Sequence, residues 1–411
     1  MLGDKIKLLM VTDDIRLPSG VGGQARKLLF GLQKTGRYSI TVIGGSLIAQ
    51  PPDPIDVQGI TVYPVSNGYG NQNQLRSIMA VTKPDIVIAF SDPRFFNYMF
   101  SIDNEIRRHS KFVLYHTWDN DPFPKFNMQW YAACDYVVTI SKFSSELLTA
   151  GGIKNTCIQH GFDPQEIYPL KPDKVAAVRN EFAKALNKPS IGFLIFWNNR
   201  NLHRKRMEDV VMIFSKFYEK HPDSALLMNT ESVNNEGNDL VHLLNDMVHP
   251  SLPVVLNFNR VNEDRLNEFY NSADVTLNIA SQEGFGLCVG ESLLAETPVI
   301  ASKTGGMPEQ MKSDTETFGL LIPASVRELF GVIGSPYIYK DYVNYEQVIS
   351  ALNNVYGSRT YFAEKGKKGR EFIIKEFNLS STIAKWNEFL IEVYNTPSAY
   401  KKHELSLVNE A

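Results

Sequence analysis

Two doubly wound α/β domains in tandem are what this sequence predicts, and three observations carry the prediction. Short apolar runs rich in Val and Ile alternate with longer segments of helical period, the order that builds parallel sheets from strand–helix–strand units. At 411 residues the chain exceeds what one ordinary core can serve, and two domains follow. The alternation also breaks once, at a proline- and charge-rich stretch, and then restarts. The near-continuous apolar character of the runs fits sheets covered on both faces.

In the first half the strands are "KIKLLMVTD" (5–13), "YSITVIGG" (38–45), "PDIVIAFS" (84–91), "KFVLYHT" (111–117) and "DYVVTIS" (135–141). Between them "GGQARKLLFGLQKTG" and "KFSSELLTAGG" read as helices that start near Gly or Ser and stop at Gly. The run 164–190 holds prolines, charges and one helix but no strand, and reads as the connector. Beyond it come the strands "IGFLIFWN" (191–198), "SALLMNT" (224–230), "PVVLNF" (253–258), "DVTLNIA" (274–280), "PVIAS" (298–302) and "GLLIP" (319–323), with helices such as "MEDVVMIFSKFYEKH" between. The stretch 360–394 is long, helical and strandless, and is expected to pack across a domain boundary. The tail after Thr396 is polar and expected to fray.

A composition of 43% hydrophobic and 21% charged residues is that of a folded soluble protein. The formal net charge of -3 gives no reason to expect nucleic acid as a partner. Cys134, Cys157 and Cys288 are few, widely spaced and set in apolar stretches, which points to reduced core residues rather than a disulfide framework. Asp4 stands before the first apolar run and that run continues into a strand, which argues against a signal peptide. No apolar run approaches the roughly 20 residues needed to span a bilayer. A cytoplasmic location is the expectation.

Open parallel sheets bind ligands beyond the carboxyl ends of their strands, where helix N-termini direct positive partial charge into the crevice. Four segments in such places carry candidate chemistry. In "RLPSGVGGQARKLL" (16–29), Gly22 and Gly23 open a helix and are suited to a phosphate or sugar; a plain tight turn is the alternative. The formal G-x-G-x-x-A match begins too far from the strand end, and no acidic residue follows in the next strand. A nicotinamide dehydrogenase is thereby disfavoured. In "YHTWDNDPFP" (115–124), His116 falls at a strand end beside Asp119 and Asp121, so a functional and a structural role compete.

In "WNNRNLHRKRMEDV" (197–210), Arg200 and Lys205 bracket a loop before a helix, a ready site for a diphosphate. Arg204 and Arg206 read as solvated charges. In "SQEGFGLCVGESLLAETPVIASKTGG" (281–306), Glu283 follows a strand, Gly284 and Gly286 allow close approach, and a helix then carries Glu291 on the face of Leu287. At about 1.5 Å per helical residue the two carboxylates stand on the order of 10 Å apart. That suits two hydroxyl-bearing groups joined by a diphosphate, with charge-assisted bonds at each end. A capping Glu283 and a solvated Glu291 are the plain alternative.

On these residues the chain resembles the retaining glycosyltransferases of family 4, the E-x7-E type with the GT-B fold. The resemblance is carried by "EGFGLCVGESLLAETPVIASKTGGMPE" (283–309), "CDYVVTISKFSSELL" (134–148), "RNLHRK" (200–205) and "IQHGFDP" (158–164), where His160 replaces the family's usual Asn. Within the family it is similar to members encoded by large algal viruses.

The resemblance implies two Rossmann-like domains facing a cleft. Residues 1–170 would form the acceptor domain and 171–375 the nucleotide-sugar domain, with a C-terminal helix over about 376–396 crossing back to the first. It implies that Glu283 meets the donor sugar, Glu291 the ribose, and Arg200 and Lys205 the diphosphate. Gly22 and Gly23 would face the phosphates, Gly284, Phe285, Gly286 and Leu287 would line the pocket, and His116 would sit near the reacting centre.

The implied reaction is transfer of a hexose from a nucleoside-diphosphate sugar to a glycan hydroxyl, with GDP-mannose favoured over UDP-glucose by likeness to the mannosyl branch. No cofactor or metal is expected; Asp119-Asn-Asp121 has a metal-site spelling but lies in the first domain. An epimerase or phosphorylase on the same fold, and a non-catalytic nucleotide-sugar-binding protein, are the rival readings. The segment 324–344 is longer than the family's usual connector and is expected to touch the acceptor or a partner.

Overall fold

The computed structural model describes residues 5–48, 53–249 and 251–398. Asp4 and most of the tail after Thr396 lie outside the described residues. Strands β1 (Ile6–Asp13), β2 (Tyr38–Ile48), β3 (Ile55–Val57), β4 (Ile60–Val65), β5 (Ile86–Ser91), β6 (Lys111–His116), β7 (Tyr136–Thr139) and β8 (Thr156–Cys157) form one sheet. Their order is β3-β4-β2-β1-β5-β6-β7-β8. All its pairs are parallel save β3–β4, a tight hairpin that the proline-rich text hides. Gln58 and Gly59 turn it with φ of 53° and 86°, the left-handed pair that a two-residue hairpin requires.

The second sheet contains β9 (Phe193–Asn198), β10 (Ser224–Asn229), β11 (Val254–Asn257), β12 (Val275–Asn278), β13 (Val299–Ser302) and β14 (Gly319–Ile322). It is parallel throughout, in the order β11-β10-β9-β12-β13-β14. In each sheet the chain builds outward from a first strand and then returns to that strand's other side, so β1/β5 and β9/β12 are switch points where helix N-termini diverge and a crevice opens. One apolar cluster runs from Leu8 and Ile88 of the first sheet through Phe162 and Phe285 to Leu194 and Phe196 of the second. The domains are thus docked on each other through side chains, not merely tethered.

The helical end is two helices, Arg359–Glu376 and Leu379–Asn395, separated at Phe377. Asn378 starts the second, its side chain accepting from the Ser380 N–H at 2.8 Å. That helix lies on Gly20–Lys34 of the first domain, so the chain crosses back. Gly31 makes the fit possible: a Cβ there would stand 2.2 Å from Ile383 Cδ1. Trp386 is fully buried and meets Tyr115 edge-on at 4.7 Å. The segment after β14 is an antiparallel hairpin, β15 (Val326–Val332) and β16 (Ser335–Tyr342), belonging to neither sheet.

Candidate active site between the domains

The ends of β9 and β12 and the helices that follow them carry the charged centre. After β9 the backbone turns through Arg206 (φ 56°) into the helix Met207–Tyr218, which leaves Lys205 buried beneath the turn. After β12 it turns through Gly286 (φ 87°) into the helix Leu287–Leu294. Lys205 Nζ donates to Glu283 Oε2 in a nearly dry ion pair. Burial would raise the Glu283 carboxyl, but Lys205 and Arg204 outweigh it and hold it below the usual glutamate range. Burial, reinforced by the Arg204 charge, pulls the Lys205 ammonium below its ordinary value against the pull of Glu283.

Glycine explains how a carboxylate comes to lie there. Gly305 has φ 52°, and a Cβ on it would fall 1.6 Å from the Glu283 carbonyl oxygen; the Gly306 N–H donates to that same oxygen at 3.1 Å. The Thr304-Gly305-Gly306 turn is therefore a cradle for the Glu283 backbone, which only glycine permits.

Glu291 sits one helix turn beyond Leu287 and is held by Tyr270, whose hydroxyl donates to Oε2 at 2.7 Å. Burial raises the Glu291 carboxyl above its usual value, opposed by the Tyr270 bond and by Lys27. Behind Tyr270 runs a chain of amides from the ends of adjacent strands. Asn257 Nδ2 donates to Asn229 Oδ1 at 2.6 Å, Asn229 to Asn198 at 2.8 Å, and Asn198 to the Tyr270 hydroxyl at 2.9 Å. Each of these side chains is polar at a strand's last residue, which is the signal that marks them; their linkage needs the sheet order.

The first domain closes the other side. The helix Gly20–Lys34 begins at Ser19, whose hydroxyl accepts from the Gly22 N–H at 2.9 Å. A Cβ on Gly20 would lie 3.4 Å from Leu287 Cδ1, which places this loop against the second domain's helix start, and one on Gly23 would meet nothing within 4 Å. His116, the last residue of β6, is fully buried, its Nε2 2.8 Å from the Tyr131 hydroxyl. Burial lowers its pKa to about 4, so it is neutral at pH 7. Phe285 packs between His160 and Phe162 of the first domain.

Not every candidate converges. Arg200 is exposed and paired with Glu231 at 3.2 Å rather than with the buried centre. The guanidinium beside Glu283 is instead that of Arg204, donating to the Gln282 carbonyl at 3.0 Å and standing 3.7 Å from Asp119 of the first domain. Asp119 and Asp121 do not act as a pair, since Asp121 meets Arg327 at 2.5 Å. Of the cysteines, Cys288 accepts from Asn278 Nδ2 at 3.0 Å, and all of them are free thiols. Among the described residues no helix is long and apolar enough to cross a membrane.

The two docked doubly wound domains with a returning C-terminal helix are the GT-B fold. Residues 178–330 match the family model described as glycosyl transferases group 1. A sucrose-phosphate synthase from Thermosynechococcus elongatus superposes with a TM-score of 0.74 at 15% identity, covering 95% of this chain and 99% of that one. The Anabaena protein HepE in complex with UDP-glucose gives 0.69 at 14% identity over 94% and 100%.

By sequence, an MMP alpha-(1->4)-mannosyltransferase from Mycolicibacterium hassiacum is 33% identical over 91 residues, 22% of this chain and 20% of that protein. An uncharacterized glycosyltransferase from Methanocaldococcus jannaschii is 27% identical over 190 residues, 45% of this chain and 46% of that protein. The chain thus matches about a fifth of the first relative and about half of the second.

Proposed function

We propose that this chain is a retaining hexosyltransferase of family 4 type, which binds a nucleoside-diphosphate sugar across the β9/β12 switch point and transfers the sugar to an acceptor hydroxyl. The observation that carries the reading is the buried Lys205–Glu283 pair with Arg204 beside it and Glu291 on the helix that follows. A buried ion pair on strand-end loops is expensive to assemble, and the ordinary reason to keep one is a ligand whose charges match it. Lys205, Arg204 and the N-terminus of Leu287–Leu294 supply positive charge to a departing diphosphate. Ionised Glu283 accepts from the donor sugar's hydroxyls and favours the cationic character that develops on the sugar. Glu291, already accepting one hydroxyl proton from Tyr270, is suited to accept others from a ribose.

With those cations in place the transfer is read as independent of metal, and activity is expected to persist in chelator. GDP-mannose remains the favoured donor, supported by the mannosyltransferase named among the relatives. UDP-glucose is the second reading, since the similar Anabaena protein HepE is solved in complex with it. Calorimetric titration with GDP, UDP and ADP tests the whole. One nucleotide is expected to bind, and Lys205→Ala and Glu291→Ala are each expected to weaken it more than tenfold, about 1.4 kcal/mol or more. Binding equal to the parent in both variants would remove the site from the argument.

A further inference from the structure

A cavity of about 280 Å³ opens beside the charged centre, between the β15–β16 hairpin and the first domain. Its walls include Asp119 and Asp121 from the loop after β6, Phe143 from the helix Lys142–Ala150, Lys303 just after β13, and Arg327, Tyr339 and Asp341 from the hairpin. The hairpin belongs to the second domain by sequence but is bolted to the first. The Tyr339 N–H donates to the Asp121 carbonyl at 2.8 Å, and Asn120 Nδ2 donates to the Tyr339 carbonyl at 3.0 Å. Arg327 spans the gap, reaching Asp121 at 2.5 Å and Asp341 at 2.8 Å, with its guanidinium stacked 4.7 Å from the Tyr339 ring centre. Thr304, in the turn that cradles Glu283, donates to Asp341 at 2.7 Å.

Asp119 ties this cavity to the chemistry. Its carboxylate lines the cavity and also stands 3.7 Å from Arg204, which touches the backbone next to Glu283. A molecule in the cavity would therefore abut the place where the donor sugar is read to lie. Three carboxylates, Asp119, Asp121 and Asp341, and two cations, Lys303 and Arg327, share the wall, a mixture of acceptors and donors that exchanges hydrogen bonds with hydroxyl groups. The volume falls just below the range of ligand pockets, roughly 300–1,000 Å³, as suits a small occupant.

We propose that this cavity is where the acceptor sits, that it takes a single neutral sugar unit, and that the hairpin is the element that selects it. The proposal rests on the glycosyltransferase reading. Arg327 is a positioning residue that fixes Asp121 and Asp341, and Lys303, which no ion pair occupies among the described residues, offers its ammonium to a ring hydroxyl. The hairpin wall makes the second domain contribute to acceptor choice as well as donor binding.

Saturation-transfer NMR on the full chain tests this, with methyl α-glucoside and methyl α-mannoside as neutral probes and glucose 6-phosphate as the charged control, each with and without the nucleoside diphosphate found by calorimetry. At least one neutral glycoside is expected to receive saturation in the parent, with a fivefold or greater loss in both Arg327→Ala and Lys303→Ala while nucleotide affinity stays at the parental value. No glycoside signal beside normal nucleotide binding overturns the proposal and leaves the donor site standing. So does preference for glucose 6-phosphate, or loss in Arg327→Ala alone, which would make Arg327 a domain-docking residue only. Absence of nucleotide binding in the parent overturns the transferase reading, and the acceptor pocket falls with it.

Discussion

At the scale of single residues, the Lys205–Glu283 pair fixes how the molecule responds to acid. Glu283 is held below the usual glutamate value of 4.5, so its contribution to stability is fully present above that value and is lost as pH falls through its lower folded-state value. In Lys205→Ala the largest force that lowers the carboxyl is gone, and burial is opposed only by Arg204 and Asn278, so the variant is expected to be destabilised at neutral pH by about 3–5 kcal/mol and to recover part of that as acid protonates Glu283. Urea denaturation of Lys205→Ala at pH 7 and pH 5, with Lys205→Ala/Glu283→Gln as the uncharged reference, measures both signs; equal loss at the two pH values would show the pair to be solvated. Why Glu283 and Lys205 were legible and Arg204 was not follows from distance along the chain. A carboxylate after a strand and before a glycine-opened helix is a local pattern, whereas the meaning of Arg204 comes from Gln282 and Asp119, 78 and 85 positions away.

At the scale of elements, the strands with near-continuous apolar runs were readable because both their faces are buried, as in β1 and β5. The β3–β4 hairpin and β15–β16 were not, since their exposed, alternating or proline-bearing text lacks that signal; Leu329 and Val326 of β15 are largely exposed. The long C-terminal helical text concealed the break at Phe377, because Asn378 caps a helix only when the chain has somewhere to turn. Its second half buries Trp386, Phe389, Leu390 and Val393, and Trp386 is the largest of them. Trp386→Ala is expected to cost about 3–5 kcal/mol, with the first domain's unfolding transition shifted along with that helix. A loss under 1 kcal/mol in denaturant titration would mean that the helix docks by its flanks and not by Trp386.

At the scale of the whole molecule, the domains are joined across the cleft by a carboxylate that acts as a foreign helix cap. Glu309 of the second domain accepts from the N–H groups of Lys142 and Phe143, at 2.9 and 2.7 Å, at the start of the first domain's helix Lys142–Ala150. Glu309→Ala is expected to cost about 1 kcal/mol as a lost cap and to enlarge the radius of gyration as the cleft gapes, with small-angle scattering as the measurement. An unchanged radius would show that the Phe285 contacts and the bonds between the hairpin and the Asp119–Asp121 loop hold the domains shut without Glu309.

The two places where the main chain passes between the domains are not independent. The Phe162 N–H donates to the Phe377 carbonyl at 2.7 Å, and the Leu379 N–H to the Phe162 carbonyl at 2.9 Å, so the outgoing and returning strands lie bonded side by side. Mechanically this is a hinge pin. One body joined to another through a single narrow, doubled strip can swing about it, but sliding or twisting would tear the bonds between the two passes. A swing about this strip would have to break the bonds between the β15–β16 hairpin and the Asp119–Asp121 loop, whereas Phe285 meets Phe377 at the strip itself, with ring centres 5.9 Å apart.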